Sequence, residues 1–473
     1  MKRILLFVLF VGCSHASHAT SQTCESASDC NDPALPYCVA NACQACDGTN
    51  GCQIDEPRCS PDTLTCVACV GDHDCDGYST APHCAPTGGC VGCIDSTQCE
   101  TTTPTCDQTT STCRACAADT DCSSRVCSAP SCTDASTVLY VVPGGNASAT
   151  CEQNDPCSFA QAITKIDVAH PVIKLGAGAY TDSVTIASNV SVLIDGSEAT
   201  MNGTIEVSGT MNGAADVTIE GMTFDTGIVD CSADAAGDAV PALTIADGTF
   251  TGGGLGDGSV TSFENCTLTI LRSAFHGPGQ AIYMQGEGAL KGAPLTIDRS
   301  LFDGGDANDP QIGLYNGDYL IMTNSIMVKT AATGTERASI LLSTVQADHD
   351  SSVTFSTFYG PEWVCGTVAT TIDVDDTIFV NALAGALDST SGASCQWHYS
   401  LVFPQKDGLS GSQNISPPTD PLFVNPSAND FHLMAASPAK DAADPQATDP
   451  DDYEGTTRPQ NGRSDIGAFE YKP

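Results

Sequence analysis

Positive charge is scarce in this 473-residue chain. Seventeen lysines and arginines face 57 aspartates and glutamates, a formal net charge of −40. Such a polyanion does not track a nucleic-acid backbone or an anionic membrane surface by electrostatic attraction. Long apolar runs are missing too. Only Ile4 to Val11 is unbroken, and eight residues are too few to span a bilayer. Aromatic platforms of the kind that bind sugars are hard to build from two tryptophans, Trp363 and Trp397, each placed two residues from a cysteine. The stretch from Cys24 to Cys132 contains no Phe, Trp or Met, and only nine Ile, Leu and Val residues. So little apolar area does not offset a chain entropy of about 1–2 kcal/mol per residue. An ordinary hydrophobic core is therefore excluded over that stretch.

The N-terminus reads as an export signal. Lys2 and Arg3 precede the apolar run, which has the length of a signal-peptide core. Phe10-Val11-Gly12-Cys13 resembles a bacterial lipobox, with phenylalanine where leucine is usual. That resemblance implies a signal peptide over residues 1–12, lipidation at Cys13 and attachment to the bacterial outer membrane, with the lipid as the only membrane contact. Ordinary cleavage after Ala16 or Ala19, giving a secreted protein, is the alternative. Residues 13–23 then form a polar tether. Outside the cytoplasm, cysteines are expected in disulfides. Removing Cys13 from the 27 leaves an even number, as full pairing requires.

Twenty of the cysteines form an array over residues 24–132. Units begin at Cys24, Cys46, Cys69, Cys93 and Cys116; each opens with Cys-x5-Cys, and neighbours join through Cys-x2-Cys. Chance does not repeat both spacings. Ten disulfides are expected here, each stabilising by typically 2–4 kcal/mol; four cysteines permit three pairings per unit, and spacing does not select one. Cys-x2-Cys steps also suit zinc, but an exported location argues for disulfides. Asp72-His-Asp74 and Asp119-Thr-Asp121 read as acidic turns, with calcium binding as the sharper alternative. The array resembles the cysteine-rich repeats of exported proteins of predatory and soil bacteria, and loosely the N-terminal region of Dickkopf proteins. This likeness implies display or interaction.

Beyond Cys132 an eight-residue template recurs: apolar, Thr, apolar, x, x, small, x, Phe. It begins at Val217, Leu243, Leu268 and Leu295, with weaker copies at Leu320 and Ile372 and a shortened one at Val353. Its third position falls at Ile219, Ile245, Ile270, Ile297 and Met322, 25 to 27 residues apart, and then at Phe355 and Val374. A short strand recurring at this interval is the signature of a solenoid. Alternation sends positions one and three inward and threonine outward. The fifth position gives a column of Gly221, Asp247, Arg272, Arg299 and Asn324, in which Asp247 is placed to pair with Arg272.

The block resembles the right-handed parallel β-helix family that includes pectate lyases and many bacterial surface proteins. The implied class is all-β, a pectin-lyase-like solenoid over residues 138–410 preceded by a small disulfide-rich repeat region. Its opening segment fits: Tyr140-Val-Val-Pro-Gly-Gly, then a helix capped by Ser158 with Phe159, Ile163 and Ile166 on one face, then Val172 to Tyr180. Pairs Cys151–Cys157, Cys231–Cys266 and Cys365–Cys395 are expected, the latter two between neighbouring coils. Residues 411–473 contain Asp420-Pro-Leu-Phe-Val, Ser437-Pro-Ala-Lys-Asp441, Arg458 and Asp465-Ile-Gly-Ala-Phe-Glu-Tyr471. This order resembles the choice-of-anchor Q ending of bacterial β-helix proteins, which implies a closing cap.

Chemistry is less legible. Enzymes of this fold family use carboxylates with a basic residue, so Arg272 and Arg299 are the candidate bases or substrate clamps. Glycosidases need paired carboxyl groups; the acidic clusters are Asp303/Asp306/Asp309, Asp348/Asp350 and Asp373/Asp375/Asp376. Asp303, Asp306 and Asp309 are the candidate calcium ligands, while glycine-rich acidic loops are ordinarily turns. The expected function is surface display of a β-helix that binds a glycan or protein polymer. The alternative is a polysaccharide lyase or glycoside hydrolase acting on an extracellular glycan.

Overall fold

The computed structural model describes residues 30, 37–40, 42–45, 58–60, 65–76, 78–187, 189–209, 213–233, 239–252, 259–263, 266–277, 279–285, 292–304, 310–315, 318–328, 340–343, 351–360, 371–380, 394–404, 411–417 and 420–472. The chain divides into two compact units, residues 1–133 and 134–473.

In the first unit each cysteine quartet builds one antiparallel hairpin, with its third and fourth cysteines directly opposite each other: Cys38 and Cys43, Cys59 and Cys66, Cys84 and Cys90, Cys106 and Cys113, Cys127 and Cys132. Disulfides then join the first cysteine to the third and the second to the fourth. They are Cys69–Cys84 with Cys75–Cys90, Cys93–Cys106 with Cys99–Cys113, and Cys116–Cys127 with Cys122–Cys132. Cys30–Cys43 is the second-to-fourth bond of the first quartet. Cysteine sulfurs crowd within 4.8 Å of one another in each of the last three units, yet each of them is disulfide-bonded, so no thiolate remains for zinc there.

Side-chain acceptors repeat as strictly as the cysteines. The residue three past the first cysteine accepts from the third cysteine's amide: Asp72 from Cys84 at 2.7 Å, Ser96 from Cys106 at 3.1 Å, Asp119 from Cys127 at 2.9 Å. Two residues later Asp74, Gln98 and Asp121 accept from the amides of Val70, Ile94 and Ala117. Arg58 and Arg114 pair with Asp74 and Asp121. Both Asp-x-Asp patterns are thus turn-forming groups already satisfied by the protein.

The second unit is a parallel β-solenoid with sheets of twelve, ten and seven strands, each strand pairing with its equivalent one coil away. Ile219, Ile245, Ile270, Ile297 and Met322 lie in direct register, and each is 0 % exposed. Phe224, Phe250, Phe275 and Phe302 stack with centroids 4.4, 4.4 and 4.8 Å apart. Thr218, Thr244, Thr269 and Thr296 align on the outer side. The short helix Phe159–Ile163, capped by Ser158, seats Phe159 edge-on to Tyr180 at the first coils. Cys151–Cys157 and Cys231–Cys266 are bonded. Cys395 is disulfide-bonded as well, while Cys365 lies outside the described residues.

Two template positions have structural roles that their spacing did not show. The fifth position is a left-handed corner: Asp247, Arg272, Arg299, Asn324, Asp376 and Tyr399 have φ of 54°, 47°, 48°, 48°, 50° and 48°. Each costs roughly 1–2 kcal/mol for a non-glycine residue. The corner amide bonds to the next coil, as from Asp247 to the Leu271 carbonyl at 2.9 Å. The sixth position is a buried hydroxyl ladder. Ser300 Oγ accepts from the Ser273 amide, Ser325 from Ser300, Ser356 from Ser325, Thr377 from Ser356 and Ser400 from Thr377. Each hydroxyl donates to the carbonyl two residues before it. The register around Phe355 also needs correction: Val353, not Phe355, pairs with Met322 and Val374, and Phe355 occupies the corner with φ 45°. A 31-residue coil followed by a 21-residue one places the missing residues in the loops rather than in the strand.

The ladder also runs past residue 410, since Gly411–Ser412 pairs with Trp397 and His398, and Ile415 bridges to Leu401. Residues 420–472 then form a strap. Among the described residues it lies along the flank across several coils. Its Phe423, Phe431, Leu433, Ile466 and Phe469 pack on Ile326, Val328, Phe355, Ile378 and Leu401. Asn429 donates to Asp303, Asn324 donates to Asp449, and the Ala468 amide donates to Thr357 Oγ1. Inside the strap Arg458 donates to Glu470 at 2.9 Å with both side chains at 0–1 % exposure, and its guanidinium lies 4.4 Å from the Phe355 ring centroid. Asp465 accepts from the amides of Asp441 and Tyr471. Arg458, Asp465 and Glu470 therefore tie the strap's own segments together.

Candidate functional site

Where the strap crosses the corners of the last coils it leaves a groove of about 750 Å³. One wall is the solenoid. Strand pairing sets Thr354, Asp375, His398 and Ser412 side by side on successive coils of the outer face, with corner residues Phe355, Asp376 and Tyr399 next to them. The other wall is strap residues 444–450, including Asp444, Gln446, Thr448 and Asp449.

The two adjacent solenoid carboxylates differ. Asp376 is buried, and its Oδ1 accepts from the Asp444 amide at 2.6 Å. Its carbonyl accepts from the Gly467 amide at 2.8 Å, so this residue docks the strap. Burial drives its pKa up to about 7, the nearby Asp444 and Asp375 charges add to that, and the Asp444 amide and Arg458 oppose it. Asp375 is only partly buried. Burial raises its pKa, His398 opposes the rise, and Asp373 and Asp444 add to it. Its Oδ1 is buried with no hydrogen-bond partner. His398 Nδ1 lies 3.2 Å from Ser412 Oγ. A concave, hydroxyl-lined site with two carboxylates whose pKa values burial raises, and a histidine, suits ligand binding or acid–base chemistry.

The residues singled out from sequence fare unequally. Asp375 and Asp376 come together in this groove. Arg272 does not serve as a base: Nε and Nη2 are held by Asp247 at 2.9 and 2.6 Å, and that hydrogen-bonded carboxylate raises its pKa further. Arg299 is engaged by Asp298 at 2.9 Å. Asp303 accepts from Asn429 at 2.6 Å and faces His276 at 3.5 Å, so it fastens the strap; Asp306, Asp309, Asp348 and Asp350 lie outside the described residues. Trp397 is no sugar platform, because it points into the core against Phe379 at 3 % exposure; Trp363 lies outside the described residues. His398, Tyr399, Ser412, Asp444 and Asp449 were missed. The signal for the first two was present: Cys395-Gln-Trp-His-Tyr-Ser-Leu-Val402 is the template with threonine and phenylalanine replaced.

No protein-family model matches the chain, and no curated protein does. Among solved structures, the crystal structure of pectate lyase Pel9A is similar over 71 % of this chain and 96 % of that one, with 16 % identity and a TM-score of 0.39. That likeness concerns architecture and assigns no activity to the groove.

Proposed function

We propose that this is an exported, lipid-anchored bacterial surface protein whose β-solenoid binds an extracellular glycan or protein polymer. The observation that carries the reading is the disulfide array of the first unit, with seven described bonds in one repeated pattern. Such bonds form and persist in oxidising compartments. The run from Lys2 to Cys13 supports export and lipid attachment, and the choice-of-anchor Q-like ending supports a surface location. The long outer face of the solenoid and the groove beside the strap supply the binding surface. A net charge of −40 points away from nucleic acids and from polyanionic glycans, unless calcium bridges the latter.

Labelled palmitate fed to expressing cells tests the anchor. Incorporation that is lost in Cys13→Ala is the expected result; label retained in that variant removes Cys13 from the account, and unlabelled protein in the medium makes the chain secreted. Protease treatment of intact cells tests exposure.

A second reading, hydrolysis or β-elimination of a glycan, is favoured by one observation: Asp376 holds its proton up to about pH 7 in the wall that also carries Asp375. It ranks second because Asp376 is committed to the Asp444 amide. Glycan turnover that disappears in both Asp375→Asn and Asp376→Asn would promote it.

A further inference from the structure

A buried ion pair at the start of the solenoid belongs to neither the groove nor the strap. Lys174 and Asp195 are cross-strand partners on the outer side of the first coils. They are 7 % and 5 % exposed, and Lys174 Nζ lies 2.9 Å from Asp195 Oδ1. Ser197 holds both: its Oγ accepts from Nζ at 2.9 Å, and its amide donates to Oδ1 at 3.2 Å. The same register places Glu220 beside Asp195 on the next coil. Tyr140 and Ala246 flank the row, so Lys174, Asp195 and Glu220 stand in line between an aromatic ring and a methyl group. Desolvating an ammonium and a carboxylate is expensive, and their attraction offsets that cost only in part. A buried pair of this kind gains by becoming neutral. Condensation achieves this when the nitrogen already touches the carboxyl group and a third group moves the protons.

We infer that Lys174 and Asp195 condense to an intramolecular isopeptide bond, with Glu220 as the proton carrier. Glu220 lies within electrostatic reach of Arg272, and a neighbouring cation keeps a carboxyl group ionised and able to accept a proton. The Lys174 ammonium passes a proton to Glu220, and Nζ attacks Cγ of Asp195. Charge develops on Oδ1, which the Ser197 amide holds. The Nζ–Cγ bond forms, the Cγ–Oδ2 bond breaks, and Oδ2 leaves as water. Of the three ammonium protons, two end on that water and one stays on the new amide. Glu220 ends as the carboxylate it began as, and nothing is oxidised or reduced. Burial keeps water from reversing the step. The product staples the first coils across an interval of 21 residues, as the disulfide from Cys231 to Cys266 does further along.

Mass spectrometry of the full chain, folded and then reduced, alkylated and digested with trypsin, tests this. Trypsin is expected not to cut after Lys174, so that residues 166–272 appear as one looped peptide, lighter than its sequence by one water. Asp195→Ala and Glu220→Gln are each expected to restore both the cut and the missing water in full. Glu220→Gln leaves the Lys174–Asp195 ion pair in place, and a wild-type β-sheet signal in that variant separates a lost reaction from a lost fold. Wild-type protein that is cut after Lys174 and carries its full mass overturns the inference, whatever the variants do. A missing water with the cut retained also overturns it, because that is the mark of a cyclic imide between Asp195 and the Gly196 amide. Undiminished condensation in Glu220→Gln overturns the role given to Glu220.

Discussion

The two units solve the same thermodynamic problem by opposite means. Residues 37–132 have almost no apolar side chains to bury, and the buried set there is mainly cysteine: Cys69, Cys75, Cys93, Cys116 and Cys122 at 0–3 % exposure. The solenoid buries continuous columns of isoleucine, leucine and phenylalanine, one residue per coil. Cross-links stabilise the first by restricting its unfolded chain; removal of apolar area from water stabilises the second. Turn chemistry follows the same division. Carboxylates serve the hairpin turns of the first unit in the open, whereas the solenoid corners are served by hydroxyls in the dry interior.

Reduction should break the comparison most sharply. Losing a native disulfide from a small exported domain costs about 2–5 kcal/mol, and the first unit has no core to fall back on. Dithiothreitol is expected to abolish hydrogen-exchange protection across the hairpins of residues 58–132 while the solenoid strands stay protected. Simultaneous loss in both units would show that the solenoid, too, depends on its bridges. Next in size is the reverse lesion. Ile270→Ala removes a fully buried side chain between Ile245 and Ile297 and is expected to cost about 2–5 kcal/mol. Chemical denaturation should show this as a lowered midpoint of the solenoid transition, with first-unit exchange unchanged. Smaller again is Ser325→Ala. It strands the Ser300 amide, which now donates to Ser325 Oγ at 3.1 Å in a site of 0 % exposure. A buried unsatisfied donor costs about 1–3 kcal/mol. Recovery of the lost stability by Ser325→Thr would confirm that the hydroxyl, and not the volume, is what matters.

Sequence showed the columns because a column is a period. Ile219, Ile245, Ile270 and Ile297 are visible as identical letters at near-constant spacing, and the stack from Phe224 to Phe302 likewise. The cysteine array was visible for the same reason, though neither its hairpins nor its pairing was. Register failed at Phe355 because two apolar residues, Val353 and Phe355, alternate correctly in either register, and only a corner conformation distinguishes them. The strap's resting place was half legible. Ile326-Met-Val328, Ile378-Phe-Val380 and Leu401-Val-Phe403 are apolar at every position, the mark of strands covered on both faces. What covers them lies far along the chain, and no local pattern encodes that distance. The groove was illegible for this reason: Asp375 and Asp444 are brought together by docking, not by spacing.

The smallest effect sharpens the comparison through pH, because the buried carboxylates where the strap docks shift in the opposite direction to those of the hairpin turns. In the solenoid unit Asp376 and Asp465 have folded pKa values raised to about 7 and about 6 from 3.8, both chiefly by burial. The folded state therefore binds more protons than the unfolded one between those limits. The associated stability is fully present below about pH 4 and is lost as pH rises through about 7, at no more than about 1.4 kcal/mol per pH unit for each group. In the first unit Asp74 and Asp121 are lowered. The Val70 amide leads the shift at Asp74, and Arg114 leads it at Asp121. Their stabilisation is present above about pH 4 and is lost on acidification. Between pH 4.5 and 7.5, on the order of the window set by these shifts, strap exchange protection should fall while hairpin protection holds; below that window the order should invert. Asp376→Asn keeps an acceptor for the Asp444 amide but does not titrate, so it should flatten the solenoid slope by about 1 kcal/mol per pH unit and leave the hairpins untouched. A slope that survives this substitution would move the proton to Asp465, where Asp465→Asn is the remaining test.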